Sequence, residues 1–111
     1  MIHFECSEDA QEFVARLKKN EGEIILLLSH GCCDGTSVFC TLKSDFKSKD
    51  SYQKIAQIAQ TDFLIPKTAL PFFENQKLFL RLQQGKNPNE FSLDFEYGFY
   101  LHLHTSVCLI Q

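Results

Sequence analysis

Cysteine thiolates and imidazoles are the side chains best suited to hold a transition metal, and this sequence groups both. The stretch "SHGCCDGTSVFC", residues 29–40, sets Cys32 beside Cys33, adds Cys40 seven residues later and carries His30 just upstream. Three thiolates converge on one ion only if the backbone turns sharply. Gly31 and Asp34-Gly35 allow that, because glycine reaches positive φ without steric cost. Near the other end, "LHLH" places His102 and His104 two residues apart. On a strand this spacing points both imidazoles to one face, where they can grip one metal, with Cys108 as a further donor downstream. The candidate ligands are therefore Cys32, Cys33, Cys40, His30, His102 and His104, and the candidate metals are zinc, iron and copper.

The same residues admit other chemistry. The cysteine spacing is not the C-x-x-C pair of structural zinc sites. Cys33, or Cys32, activated by a nearby histidine, would be a nucleophile toward a thiol, acyl or aldehyde substrate. Free cysteines also serve as small buried hydrophobes, which would make the chain a structural interaction module. Two histidines on a solvated strand face need no ligand at all. Asp34 suits an Asx-type turn better than acid catalysis, and Tyr100 fits a half-buried strand position as well as a ligand-orienting one. Cupin metal sites use a histidine pair of this kind, but the acid and glycine that follow it there are missing here. No phosphate-binding glycine loop and no serine in a nucleophile elbow occurs.

These residues need elements to position them. Residues 7–20 form the clearest helix: Ser7 can cap, Glu8 and Asp9 complement the positive end, and Ala10, Phe13, Val14 and Leu17 share one face. Lys18, Lys19 and Gly22 suit its end. The run "IILLL" at 24–28 predicts a strand buried on both faces. Val38–Leu42, "KLFLRL", "FSLDF" and "FYLHLH" predict further strands, the last three by alternation. In "FSLDF" this sets Phe91, Leu93 and Phe95 against Ser92 and Asp94. Residues 52–64 fit a helix and a strand about equally. Pro66 and Pro71 bracket a connection with room for one helical turn. The sum is an α+β domain, an N-terminal helix packed on a mostly antiparallel sheet or sandwich.

Composition bounds the function. A chain of 111 residues supports one domain, here 1–111, with a real core. Eleven phenylalanines and no tryptophan predict a core of rings without polar handles. A net charge of -3 with no basic stripe argues against nucleic acid. No apolar run approaches the roughly 18 residues of a membrane span. The acidic start "MIHFECSEDAQEF" is unlike a signal peptide, so the expected location is cytoplasmic. There the five cysteines would be free thiols rather than a disulfide framework.

The stretch "HGCCDGTSVFC", together with "FSLDF" and the glycine that follows it, resembles a bacterial family catalogued as domain of unknown function 779. That family pairs a Cys–Cys–Asp–Gly–Ser/Thr loop with a cysteine at the position of Cys40, and the likeness runs along most of the chain. Cys32, Cys33, Asp34, Gly35 and Cys40 match its pattern. His30 and Leu27 depart from it, standing where the family usually has glycine and histidine. So does "QGKNPNE", which lacks the usual Gly-Arg-Gly, and "LHLHTS" replaces a more basic stretch. The family's frequent position beside aldehyde dehydrogenase genes implies an accessory role, with such an enzyme as a partner. The order of elements also resembles the A-type (HesB-like) iron–sulfur carriers in outline, without their terminal Cys-x-Cys pair. The expected function is that of a small metal-binding or metal-handling accessory protein.

Overall fold

A computed structural model describes residues 3–28, 36–47, 49–73, 76–88 and 90–105. The elements are strand β1 (His3–Cys6), helix α1 (Glu8–Glu21), strands β2 (Ile24–Leu28), β3 (Thr36–Leu42), β4 (Tyr52–Ile58) and β5 (Thr61–Pro66), a short helix α2 (Leu70–Phe73), and strands β6 (Lys77–Gln84) and β7 (Phe99–Thr105). Single 3₁₀ turns lie between several of them. No helix among the described residues is long and apolar enough to cross a membrane.

The fold is mixed α+β. Among the described residues, seven strands form one sheet in the order β1-β6-β7-β3-β2-β5-β4. Only the β1–β6 and β2–β5 pairs are parallel; the other four are antiparallel. The sheet curls until its ends approach: Phe4 of β1 meets Phe63 of β5 with ring centroids 5.4 Å apart. The result is a nearly closed barrel, which leaves little unpaired edge open to solvent.

Helix α1 forms for the reasons its sequence predicts. Ser7 Oγ accepts the Ala10 N–H, Glu8 and Asp9 occupy the first turn, and Lys18 and Lys19 the last. Gly22, at φ 102°, donates its N–H to the Lys18 carbonyl and ends the helix. Ala10, Phe13, Val14 and Leu17 are buried against the concave face of the sheet. That face contributes Leu26, Leu28, Val38, Phe63, Ile65, Leu78, Leu80, Leu101 and Leu103. All five residues of β2 are buried, as its continuous apolar run requires.

The structure settles one open alternative of the sequence and corrects one expectation. Residues 52–64 lie in a hairpin, β4 and β5, turning at Ala59 and Gln60 with φ of 48° and 63°. A two-residue hairpin loop that matches the twist of its strands needs positive φ at both positions. Asn-Gly would have announced it, whereas Ala-Gln hides it. The "FSLDF" stretch is not a strand: residues 90–94 are turns and Phe95–Tyr97 a 3₁₀ turn, closed by Gly98 at φ 80°. Its alternation is inverted, with Ser92 and Asp94 buried and Phe91 79% exposed. The polar side chains are drawn in because they bond the edge of β3, as described below. The turn between Pro66 and Pro71 is present, as the 3₁₀ turn Lys67–Ala69 running into α2.

Candidate metal centre

Strand β7 sends Leu101 and Leu103 into the core, so alternation sends Tyr100, His102 and His104 to the convex face. The two histidines meet there: His102 Nδ1 and His104 Nε2 are 3.0 Å apart, and the rings stand edge to face at 81°. Tyr100 packs edge-on against His102, with centroids 6.2 Å apart. Across the ladders, His102 is opposite Arg81 of β6 and Ser37 of β3, and His104 is opposite Phe79. This cross-strand framework fixes the pair on a rigid surface.

Burial lowers the pKa of both imidazoles, and His102 and Arg81 lower that of His104 further by repelling positive charge. Both shifts favour the neutral rings, which keep lone pairs for a metal. Two imidazole nitrogens bound at 2.0–2.1 Å to a tetrahedral ion would stand about 3.4 Å apart. The observed 3.0 Å is shorter and suits one ring donating its N–H to the other, so an ion would have to part the two nitrogens by a few tenths of an ångström.

The register sets the start of β3 beside this pair: Thr36 is opposite Leu103 and Ser37 opposite His102. His30, Cys32, Cys33, Asp34 and Gly35 lie outside the described residues, as does Cys108. Cys33 precedes Thr36 by three residues, a chain span of at most about 10 Å.

Cys40 belongs to a different place. It is opposite Leu26 in β2, faces the core and is fully buried. The sheet itself separates it from His102 and His104, so one ion cannot take all three as ligands. Its surroundings also oppose a thiolate: burial first, then the Asp94 charge, push the thiol well above its usual pKa. Among the described residues no three metal-binding side chains converge. Cys6 is half-buried, and burial together with Asp9 pushes its thiol up to about 11.

Around Cys40 lies a buried polar cluster that the sequence did not single out. Beyond the Thr36 and Ser37 pairs with β7, the edge of β3 is taken by the segment 87–94. Asn87 Nδ2 donates to the Val38 carbonyl at 2.9 Å, the Cys40 N–H donates to Ser92 Oγ at 2.9 Å, and the Leu93 N–H donates to the Cys40 carbonyl at 2.9 Å. Asp94 closes the cluster, accepting from Ser92 Oγ and from Asn87 Nδ2 at 3.3 and 3.2 Å. Burial raises the Asp94 pKa, opposed by the hydrogen bonds of Ser92, Asn87 and Cys40. The only sequence signal was the pair of polar residues inside "FSLDF".

Residues 13–107 match the family model described as Domain of unknown function (DUF779). The chain belongs to that family. No curated protein matches it. The DUF779 match runs from α1 to the end of β7, and so takes in the cysteine loop, the Cys40 cluster and the histidine pair.

Proposed function

We propose that this DUF779 protein is a metal-binding accessory protein whose centre is the His102–His104 pair, completed by Cys32 and Cys33 with His30 as a further donor. The observation that carries this reading is the pair of imidazoles with nitrogens 3.0 Å apart on the convex face, beside the first residues of β3, which follow the cysteine loop in the chain. Mixed imidazole and thiolate donors suit zinc, iron or copper(I). Cys40 supports the fold and is not part of this ligand set. The outline likeness to A-type iron–sulfur carriers fits a metal-handling role but adds no ligand. The client would be an enzyme such as the aldehyde dehydrogenases that the family resemblance implies.

Elemental analysis of the protein purified from cells, followed by zinc titration, tests the reading. The expected result is about one ion per chain, with loss of at least tenfold in affinity for His102→Ala, His104→Ala, Cys32→Ser and Cys33→Ser, and little change for Cys40→Ala in protein that remains folded. Wild-type protein that neither carries nor takes up zinc, iron or copper refutes it. Alkylation separates it from covalent catalysis. Metal should shield Cys32 and Cys33 together, with a chelator exposing both, whereas one cysteine reacting fast with or without chelator would instead mark a nucleophile.

A further inference from the structure

The hairpin of β6 and β7 does not end in a tight turn. Its ladder runs to Gln84 and Phe99, and the Gly85 N–H then donates to the Gly98 carbonyl at 2.9 Å. Both glycines have positive φ, 126° and 80°. The chain between them, described at 85–88 and 90–98, leaves and re-enters the barrel at one point, which is the form of an Ω-loop. It stands in a split of the sheet. β3 and β7 pair at Thr36–Leu103 and Ser37–His102, and beyond Ser37 the loop comes between them, bonding Val38 and Cys40 through Asn87, Ser92 and Leu93.

Polar contacts hold this loop more than apolar burial does. Leu93 and Tyr97 pack on the core, while Phe91 is exposed. On the α1 side, Tyr97 OH donates to Glu21 at 2.7 Å and accepts from Asn20 at 3.4 Å, both at the surface. A segment with few buried apolar contacts opens at a lower free energy than the whole domain. Nor need the vacated edge stay bare. Continuing the observed register along β7 pairs Val38 with Leu101 and Cys40 with Phe99. No side chain changes face: Val38, Cys40 and Leu101 already belong to the core, and the Phe99 ring meets Phe13 of α1 at 6.4 Å. The loop and β7 thus compete for one strand edge.

Asp94 sits at the centre of this competition. It is fully buried in the docked loop, and among the described residues no lysine or arginine pairs with it. From β3 it faces the Cys40 thiol, and from its own loop Ser92 and Asn87. Lys86 lies over the Phe95 ring, Glu96 is exposed, and α1 presents Arg16 and Glu21 to Tyr97. An ionised Asp94 therefore has hydrogen-bond donors but no counter-charge, and burial raises its pKa. We propose that the loop 85–98 is a proton-controlled latch, docked most firmly while Asp94 is protonated and released more often once it ionises, whereupon β3 pairs onward along β7. Release hydrates the carboxylate and returns its pKa toward 3.8. Docking is strongest below that value and weakens as pH rises through the docked pKa.

Amide hydrogen exchange resolved by residue, corrected for intrinsic rates and run on the full chain between pH 4 and 8, tests the latch. In wild type the amides of Leu93, Phe95 and Tyr97 should lose protection at least about tenfold over that range, a factor of ten for each unit between the docked and released pKa values. Their exchange should depend on urea less than that of Leu26 and Leu80. Asp94→Asn cannot ionise and should hold their protection level across the range. Tyr97→Phe should lower it at every pH and keep the wild-type slope. The Cys40 amide should stay better protected than that of Leu93, because Phe99 takes over from Ser92 as its partner. Loop amides that exchange only together with Leu26 and Leu80, at the same urea dependence, overturn the latch, and wild type and Tyr97→Phe decide this without the buried substitution. An unchanged pH slope in Asp94→Asn overturns control by Asp94. Equal loss of protection at Cys40 and Leu93 overturns the onward pairing with β7.

Discussion

Replacing Asp94 by alanine tests whether the buried cluster at the edge of β3 is a working part of the fold. The Asp94 carboxylate accepts from Ser92 Oγ and Asn87 Nδ2 and lies beside the Cys40 thiol. Alanine leaves the Ser92 hydroxyl hydrogen and one Asn87 N–H without an acceptor, while Asn87 keeps its bond to Val38 and Ser92 still accepts from Cys40 N–H. Each stranded buried donor costs about 1–3 kcal/mol, so the pair costs about 3 kcal/mol once partial relaxation is allowed. For a chain of 111 residues that corresponds to a fall in Tm of about 12 °C. Asp94→Asn keeps the volume and one acceptor, and should lose about half as much.

The pH dependence gives an independent reading. The folded pKa of Asp94 is raised above its unfolded value near 3.8. The native state therefore holds this proton more tightly, and the stability it confers is complete below that value and lost as pH rises through the folded pKa. Stability of Asp94→Asn relative to wild type should accordingly improve from pH 4 upward. Urea unfolding followed by circular dichroism across that range measures both effects. An Asp94→Ala protein within about 1 kcal/mol of wild type would refute the reasoning, since it would mean that the stranded donors find other partners at no cost.

Other outcomes follow from the same structure. Burial lowers the pKa of His102 and His104, so the unfolded chain takes up their protons first. Metal-free protein should lose stability as pH falls from about 6.5 toward the folded pKa values, and His102→Gln should flatten that slope. In native protein Cys40 should resist alkylation, being buried and held as a thiol, and should react only on unfolding; mass spectrometry after a timed pulse of iodoacetamide reads this. Phe91→Ser should change stability by less than about 0.5 kcal/mol, because Phe91 is 79% exposed. Leu103→Ala removes a fully buried barrel residue and should cost about 2–5 kcal/mol by chemical denaturation.

The sequence by itself determined the elements whose local signals and burial agree. Helix α1 is legible because its cap, its charges and its apolar stripe all point to the same boundaries. Strand β2 declares itself by five apolar residues in a row, and β6 and β7 by strict alternation. The histidine pair follows from β7 alone, since a period of two needs no tertiary partner to set a face. What the tertiary structure decided is which faces meet. Cys40 stands in the same twelve-residue stretch as Cys32 and Cys33. Its parity in β3 depends on the register with β2 and β7, which places it across the sheet from His102 and His104. The segment 91–95 alternates like a strand, yet the barrel leaves the edge of β3 open beside Val38 and Cys40. Backbone groups buried there must be satisfied, and Asn87, Ser92 and Leu93 reach them from a turn.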